Sequence, residues 1–286
     1  MIERQLKTNN GTIVYWINDL QAAQANAQAT SAAHSVAKSE QGVLCTLVFL
    51  PGLTADHRLF DKQIEYFENR FPLLVWDAPG HGESRPFNLN FSLEDKARWL
   101  CDILNAEGIE KPVLIGQSMG GYVSQTFLQL FPKRAAGFVC IDSAPLQRSY
   151  YTNWELWLLE RMEPVYKWYP HSWLENQGST GCAETPYGRE LMRKMISEWD
   201  HKEYAAVASH GYRILAQAVR KNLPYEIKCP CVLICGEKDK AGSAKNYNKR
   251  WAAQTGLPMH WISGAGHNSN TDKPEEINAI IEKMCQ

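Results

Sequence analysis

The chain of 286 residues has almost no excess of either charge: 30 lysines and arginines stand against 31 aspartates and glutamates, a formal net charge of −1. A surface without a basic field offers a polyanion nothing to follow, so nucleic acid is not an expected partner. Long hydrophobic runs are also lacking. The longest apolar stretch, Val43 to Leu53, is interrupted by Thr46, Pro51 and Gly52, whereas a bilayer-spanning helix needs about 20 mostly apolar residues. Met1 to Asn10 is polar and lacks the apolar core of a secretory signal. No membrane association is expected, and the expected location is the cytoplasm. The eight cysteines show no compact spacing, which fits free thiols better than a disulfide framework. Cys229, Cys231 and Cys235 come nearest to a cluster. On an extended strand the last two lie about 13 Å apart, at roughly 3.3 Å per residue, too far to share one zinc ion bound at about 2.3 Å per ligand. No phosphate loop or dinucleotide fingerprint accompanies the strands. Neither a metal nor an organic cofactor is implied.

What is present is an ordinary globular composition, 44% hydrophobic and 21% charged. A chain of this length buries enough surface to fold as one large α/β domain without covalent staples. Two short alternating runs, near Ile2–Leu6 and Ile13–Ile17, flank Asn9-Asn10-Gly11 and predict a β-hairpin. Gln21 to Gln41 is rich in alanine, glutamine and serine but has little apolar periodicity; it reads as a surface insertion. From Val43 the texture changes. Val43–Leu50, Leu73–Trp76, Val113–Ile115, Gly137–Ile141, Val232–Ile234 and Met259–Ile262 are continuous apolar runs, as suits strands covered on both faces. Helical patterns lie between several of them. Ser92 and Asp95 form a capping box ahead of Leu93, Ala97, Leu100 and Leu104, and Pro274 opens a last helix. Strands alternating with helices predict a mostly parallel sheet with right-handed crossovers.

The alternation stops between Leu146 and Lys228. That segment holds five of the ten tryptophans: Trp154, Trp157, Trp168, Trp173 and Trp199. Trp154, Leu158, Met162 and Tyr166 recur at four-residue spacing, and Leu191, Met192, Met195, Ile196 and Trp199 form a second stripe. The pattern predicts three or four helices inserted between two strands. The expected division is residues 1–145 as the first part of a core, 146–228 as a helical cap and 229–286 as the second part of the core.

The sharpest chemical signal is Gly116-Gln117-Ser118-Met119-Gly120-Gly121, between the run ending at Ile115 and a helical stretch from Tyr122. A serine on a tight strand-to-helix turn is a nucleophile elbow, with glycines where larger side chains would strike the neighbouring strand or helix. A serine hydroxyl is a weak nucleophile and needs a base, which in turn needs an orienting group. His267, in Gly264-Ala265-Gly266-His267, follows the last strand; His260 lies inside that strand pattern and is its nearby rival. The carboxylate is expected at a strand end. Asp239 follows the run ending at Gly236, Glu237 is adjacent to it, and Asp142 ends another strand. The chain order Ser118…Asp239…His267 favours Asp239. An acyl-transfer site also needs donors for a developing oxyanion. The backbone N–H of Met119 and that of Leu53, in Pro51-Gly52-Leu53-Thr54, are the expected pair, because Pro51 has no N–H.

With these motifs the chain resembles an α/β-hydrolase of the serine-dependent kind that carries a helical cap. The resemblance extends from Asn10 onward, apart from Gln21–Gln41. It rests on Leu50-Pro51-Gly52, on Asp77-Ala78-Pro79-Gly80-His81-Gly82-Glu83-Ser84, on the Ser118 elbow, on Gly236-Glu237-Lys238-Asp239 and on Gly264-Ala265-Gly266-His267. It implies an eight-stranded, mostly parallel sheet flanked by helices, with the cap above the serine. In one departure, Pro51 stands where many relatives have histidine. Dehalogenases and epoxide hydrolases of this fold carry aspartate in place of Ser118, and plant hydroxynitrile lyases carry lysine where Asn268 stands.

The expected activity is hydrolysis of a carboxylic ester or related acyl bond through an acyl-enzyme, in the manner of an esterase. Carbon–carbon bond hydrolysis, lactone hydrolysis, aminopeptidase or synthase chemistry on the same residues are alternatives. A ligand-sensing homologue with little turnover is another, since fold does not fix function. The expected partner is a small-molecule substrate. If Trp154, Trp157, Trp168 and Trp199 of the cap line its pocket, that substrate carries a hydrophobic or aromatic group.

Overall fold

The computed structural model describes residues 1–18, 45–224 and 226–285. The Gln21–Gln41 segment, together with Val43 and Leu44, lies outside the described residues. In chain order the elements are β1 (Ile2–Thr8), β2 (Gly11–Ile17), β3 (Leu47–Leu50), α1 (Asp61–Phe67), β4 (Leu73–Trp76), α2 (Leu93–Ala106), β5 (Val113–Gln117), α3 (Met119–Leu130) and β6 (Gly137–Ile141). Then come α4 (Asn153–Leu159), α5 (Glu163–Trp168), α6 (His171–Cys182), α7 (Pro186–Ser197) and α8 (His201–Lys221). The chain closes with β7 (Cys231–Gly236), α9 (Ala244–Thr255), β8 (Met259–Ile262), α10 (Ser269–Asp272) and α11 (Pro274–Met284).

The strands form one sheet in the order β1-β2-β4-β3-β5-β6-β7-β8. The hairpin β1–β2 and the β2–β4 pair are antiparallel; every pairing from β4 through β8 is parallel. The predicted hairpin closes with Thr8 opposite Gly11. Strands β3 to β7 are buried along their whole length, as continuous apolar runs between two helical layers must be. At the β8 edge, His260 and Trp261 are exposed while Ile262 is buried, so the last strand is only partly covered. Two clusters occupy the two faces of the sheet. One includes Val48, Leu50, Leu74, Leu114 and Phe138; the other includes Leu47, Phe49, Val75, Ile115 and Ile234. The alternation along β3 divides its side chains between them.

Ser92 caps α2 in the predicted box, its hydroxyl accepting from the Asp95 N–H while the Asp95 carboxylate accepts from the Ser92 N–H. Between β6 and β7 stand five helices among the described residues rather than three or four. The Trp154–Tyr166 stripe does not run along one helix. Pro164 lacks the N–H that would continue the ladder, so α4 ends at Leu159 and a new helix starts at Glu163 with the proline in its first turn. The second stripe holds: Met192, Met195, Ile196 and Trp199 are buried in a third cluster with Leu59, Leu174, Tyr204 and Val207.

Candidate active site

Ser118 stands between β5 and α3 with φ 49° and ψ −114°. A non-glycine residue in that region is strained, and its surroundings must hold it there. The glycines provide the room. A Cβ at Gly120 would overlap the Leu50 carbonyl, and one at Gly116 would lie 2.5 Å from the Gly120 backbone. The Ser118 N–H donates to the Ile141 carbonyl at 2.9 Å, so the elbow is pinned to the neighbouring strand β6.

His267, in the loop after β8, brings Nε2 to 2.9 Å from Ser118 Oγ. Its Nδ1 lies 3.0 Å from Asp239 Oδ2. With Nδ1–H donating to the carboxylate, Nε2 is left as the acceptor for the serine O–H, the tautomer this geometry calls for. The other Asp239 oxygen accepts the Ala241 N–H at 2.8 Å, and the Asp239 side chain is wholly buried. Burial pulls the His267 imidazole toward its neutral form. The charge and hydrogen bond of Asp239, with a further contribution from the charge of Asp142, more than offset this and raise its pKa above the ordinary value. Of the rivals, His260 and Glu237 are exposed. Asp142 is buried, but its carboxylate accepts from Gly236 and Ser269, and Asp239 is the carboxylate on Nδ1.

The two expected oxyanion donors occupy adjacent segments. Met119 opens α3, directly after the serine, where backbone N–H groups have no helical partner and the helix dipole favours negative charge. The Leu53 loop runs against the elbow: a Cβ on Gly52 would lie 3.2 Å from Ser118 Cβ and on the Gln117 side-chain oxygen. Gln117 is a residue whose part the sequence reading missed. Its Nε2 donates to the His267 carbonyl at 2.8 Å and to Asn268 Oδ1 at 3.1 Å, so one buried amide lies against both the Gly52 loop and the histidine loop. Only its place in the elbow motif could have pointed to it.

Of the four tryptophans expected at the pocket, Trp154, Trp157 and Trp168 are exposed and Trp199 is buried. Trp168 is 84% exposed and Trp154 65%, and Trp154 stacks on the half-exposed Trp157 with centroids 4.7 Å apart. These rings face solvent rather than an enclosed wall. Trp199 is buried, edge-on to His81 at 5.9 Å and covered by the Arg85 guanidinium at 4.1 Å, which makes it part of the packing. The helical segment reaches the site through other residues. The Asn268 N–H donates to the Cys182 carbonyl at 2.7 Å. Asp272 accepts from the Glu184 and Thr185 N–H groups at 3.0 and 2.8 Å, and from Gly266 at 2.8 Å. The Leu53 side chain fills the space above Gly211 of α8.

Among the described residues two groups have enough acidic, imidazole or thiol atoms to be tested as metal sites: Asp56, His57 and Asp77, and Asp142, Cys235 and Asp239. Their carboxylates fit a cation poorly. Asp77 already accepts from the His57 N–H and the Glu83 N–H, and Asp142 from the Gly236 N–H and from the N–H and O–H of Ser269, so a cation would have to compete with these donors. All eight cysteines are free. Among the described residues no helix is long and apolar enough to cross a membrane.

Comparison with known proteins places this geometry in context. The model of the alpha/beta hydrolase family matches residues 47–280. Serine hydrolase BPHL of Mus musculus is 22% identical over 245 residues, covering 84% of this chain and 79% of its own. A 2-succinyl-6-hydroxy-2,4-cyclohexadiene-1-carboxylate synthase of Klebsiella pneumoniae is 28% identical over 253 residues, 83% of this chain and 92% of its own. The solved structure of a thermophilic esterase from Thermogutta terrifontis superposes with a TM-score of 0.74 at 20% identity, covering 100% of both chains.

Proposed function

The chain belongs to the alpha/beta hydrolase family, and from that premise we propose that it is a serine hydrolase cleaving a carboxylic ester or related acyl bond of a small molecule. The observation that carries this reading is the continuous row Ser118 Oγ, His267 Nε2, His267 Nδ1 and Asp239 Oδ2, with steps of 2.9 and 3.0 Å. Ser118 Oγ attacks the acyl carbon while His267 Nε2 takes its proton. The tetrahedral oxyanion sits between the Met119 and Leu53 N–H groups. As it collapses, the bond to the leaving oxygen breaks and that oxygen takes the proton from Nε2, leaving the acyl group on Ser118. Water then attacks the acyl carbon, gives a proton to Nε2, and the second collapse returns that proton to Ser118 and releases the acid. Asp239 holds the imidazole in the needed tautomer and stabilises its charged form. The helices between β6 and β7 act as the cap, and Leu53, packed on Gly211, supplies an apolar wall beside the acyl group.

A second reading keeps the same row but applies it to another bond. It is suggested by the synthase relative, 28% identical over 253 residues. The experiment is turnover of short-chain aryl esters by the wild type and by Ser118→Ala. Loss of roughly a thousandfold or more in the variant is expected; undiminished turnover contradicts the assignment of the serine.

A further inference from the structure

We propose that Asp142 is a positioning residue that locks the loops carrying Asp239 and His267 to each other and to the strand beside Ser118. This rests on the serine-hydrolase reading of the same site. Asp142 directly follows β6 with φ 46°, a left-handed conformation that costs a non-glycine residue energy and marks a place its surroundings hold firmly. Its side chain is buried and spans two loops. One oxygen accepts the Gly236 N–H at 2.7 Å, at the end of β7 and three residues before Asp239. The other accepts both the N–H and the O–H of Ser269, at 2.9 and 2.6 Å, two residues after His267. The Asp142 N–H in turn donates to the Ile234 carbonyl at 2.9 Å, and Ile141, the residue before it, accepts from Ser118. One buried carboxylate thus joins the strand ends that carry acid, base and nucleophile. A Cβ on Gly236 would fall on the Gly266 carbonyl, so β7 and the histidine loop have no slack between them for another spacer.

Asp142 also acts on the base through space. Burial first, and the charge of Asp239 second, push the Asp142 carboxyl up to about 7, against the pull of His267, Ser269 and Gly236. The titratable groups facing it are Asp239 and Cys235 from β7 and its turn, His267 from the loop after β8, Cys140 from β6 and Cys182 from α6. In its ionised form it stabilises the His267 imidazolium. Removing that charge makes the imidazole less basic. Asn at this position preserves the shape but turns one acceptor into an NH2 facing a donor.

The test is the rate at which a fluorophosphonate labels Ser118, measured against pH for the wild type, Asp142→Asn and Ser269→Ala. For Asp142→Asn, labelling slows about tenfold or more through misplacement of the base, and the pH midpoint falls by roughly half a unit to one unit as the nearby charge is lost. A residue that serves only the packing would lower the melting temperature without moving the midpoint. Ser269→Ala removes one of the three bonds and keeps the carboxyl group; it slows labelling several-fold, with a midpoint shift no larger than that of Asp142→Asn. If Asp142→Asn does not fold, Ser269→Ala decides alone. A labelled wild type with both variants within twofold of it, at the same midpoint, overturns the positioning role and leaves the serine-hydrolase reading standing. An unlabelled wild type overturns that reading and the positioning role with it.

Discussion

His267 Nε2 lies 2.9 Å from Ser118 Oγ although 149 residues separate them. The sheet makes this meeting possible. Parallel strands deliver their carboxyl ends to one edge, so the loops after β5, β7 and β8 converge however far apart they stand in sequence.

Asp239→Asn tests the role of the carboxylate. The amide keeps the shape but cannot hold the histidine in the required tautomer, and kcat on an ester substrate is expected to fall by roughly 10⁴-fold. The fold is expected to survive. A variant within tenfold of wild type would move the acid role away from Asp239.

The elbow, the hairpin and the Ser92 box were legible because each depends on residues close in sequence. The acid was legible only in part. Asp239 and Asp142 both end strands, and what separates them is which oxygen meets His267 Nδ1, a fact of folded distances. The tryptophan stripe misled because four-residue spacing was read through Pro164, where the helix must restart. Ser269 left no signal of its role and Gln117 none beyond its place in the elbow, since their partners lie 127 and 150 residues away.

The raised pKa of His267 fixes the acid limb of activity. The base must be neutral, so kcat/KM is expected to rise with pH through a midpoint above 6.5. The stability linkage follows from the same direction. The folded histidine holds its proton more tightly than the unfolded one, so this contribution is full below 6.5 and is lost as pH climbs through the folded value. A pH profile of kcat/KM checks the midpoint; a value clearly below 6.5 contradicts the pairing with Asp239.

Lys96 is a buried cation that lies outside the proposed chemistry. It is 1% exposed on α2, its ammonium 5.6 Å from the Phe91 ring centre, and burial alone lowers its pKa from 10.5 to about 8. The unfolded lysine is charged below about 10.5 while the folded one resists the proton, so the cost to stability grows as pH falls from 10.5 to about 8 and then levels off. At ~1.36 kcal/mol per tenfold the levelled cost is about 3 kcal/mol. Lys96→Met removes it, and the melting temperature near pH 7 is expected to rise by about 5 °C. The gain shrinks as the pH is raised from 8 toward 10.5. An unchanged or lower melting temperature at pH 7 would show that the ammonium is compensated in the fold.

Ser118 as the activated nucleophile is tested most directly by locating the fluorophosphonate adduct by peptide mass spectrometry. The account predicts one adduct on the peptide carrying Ser118, absent in Ser118→Ala and strongly slowed in His267→Ala. An unmodified Ser118 peptide in the wild type, or equal labelling after loss of His267, would contradict it.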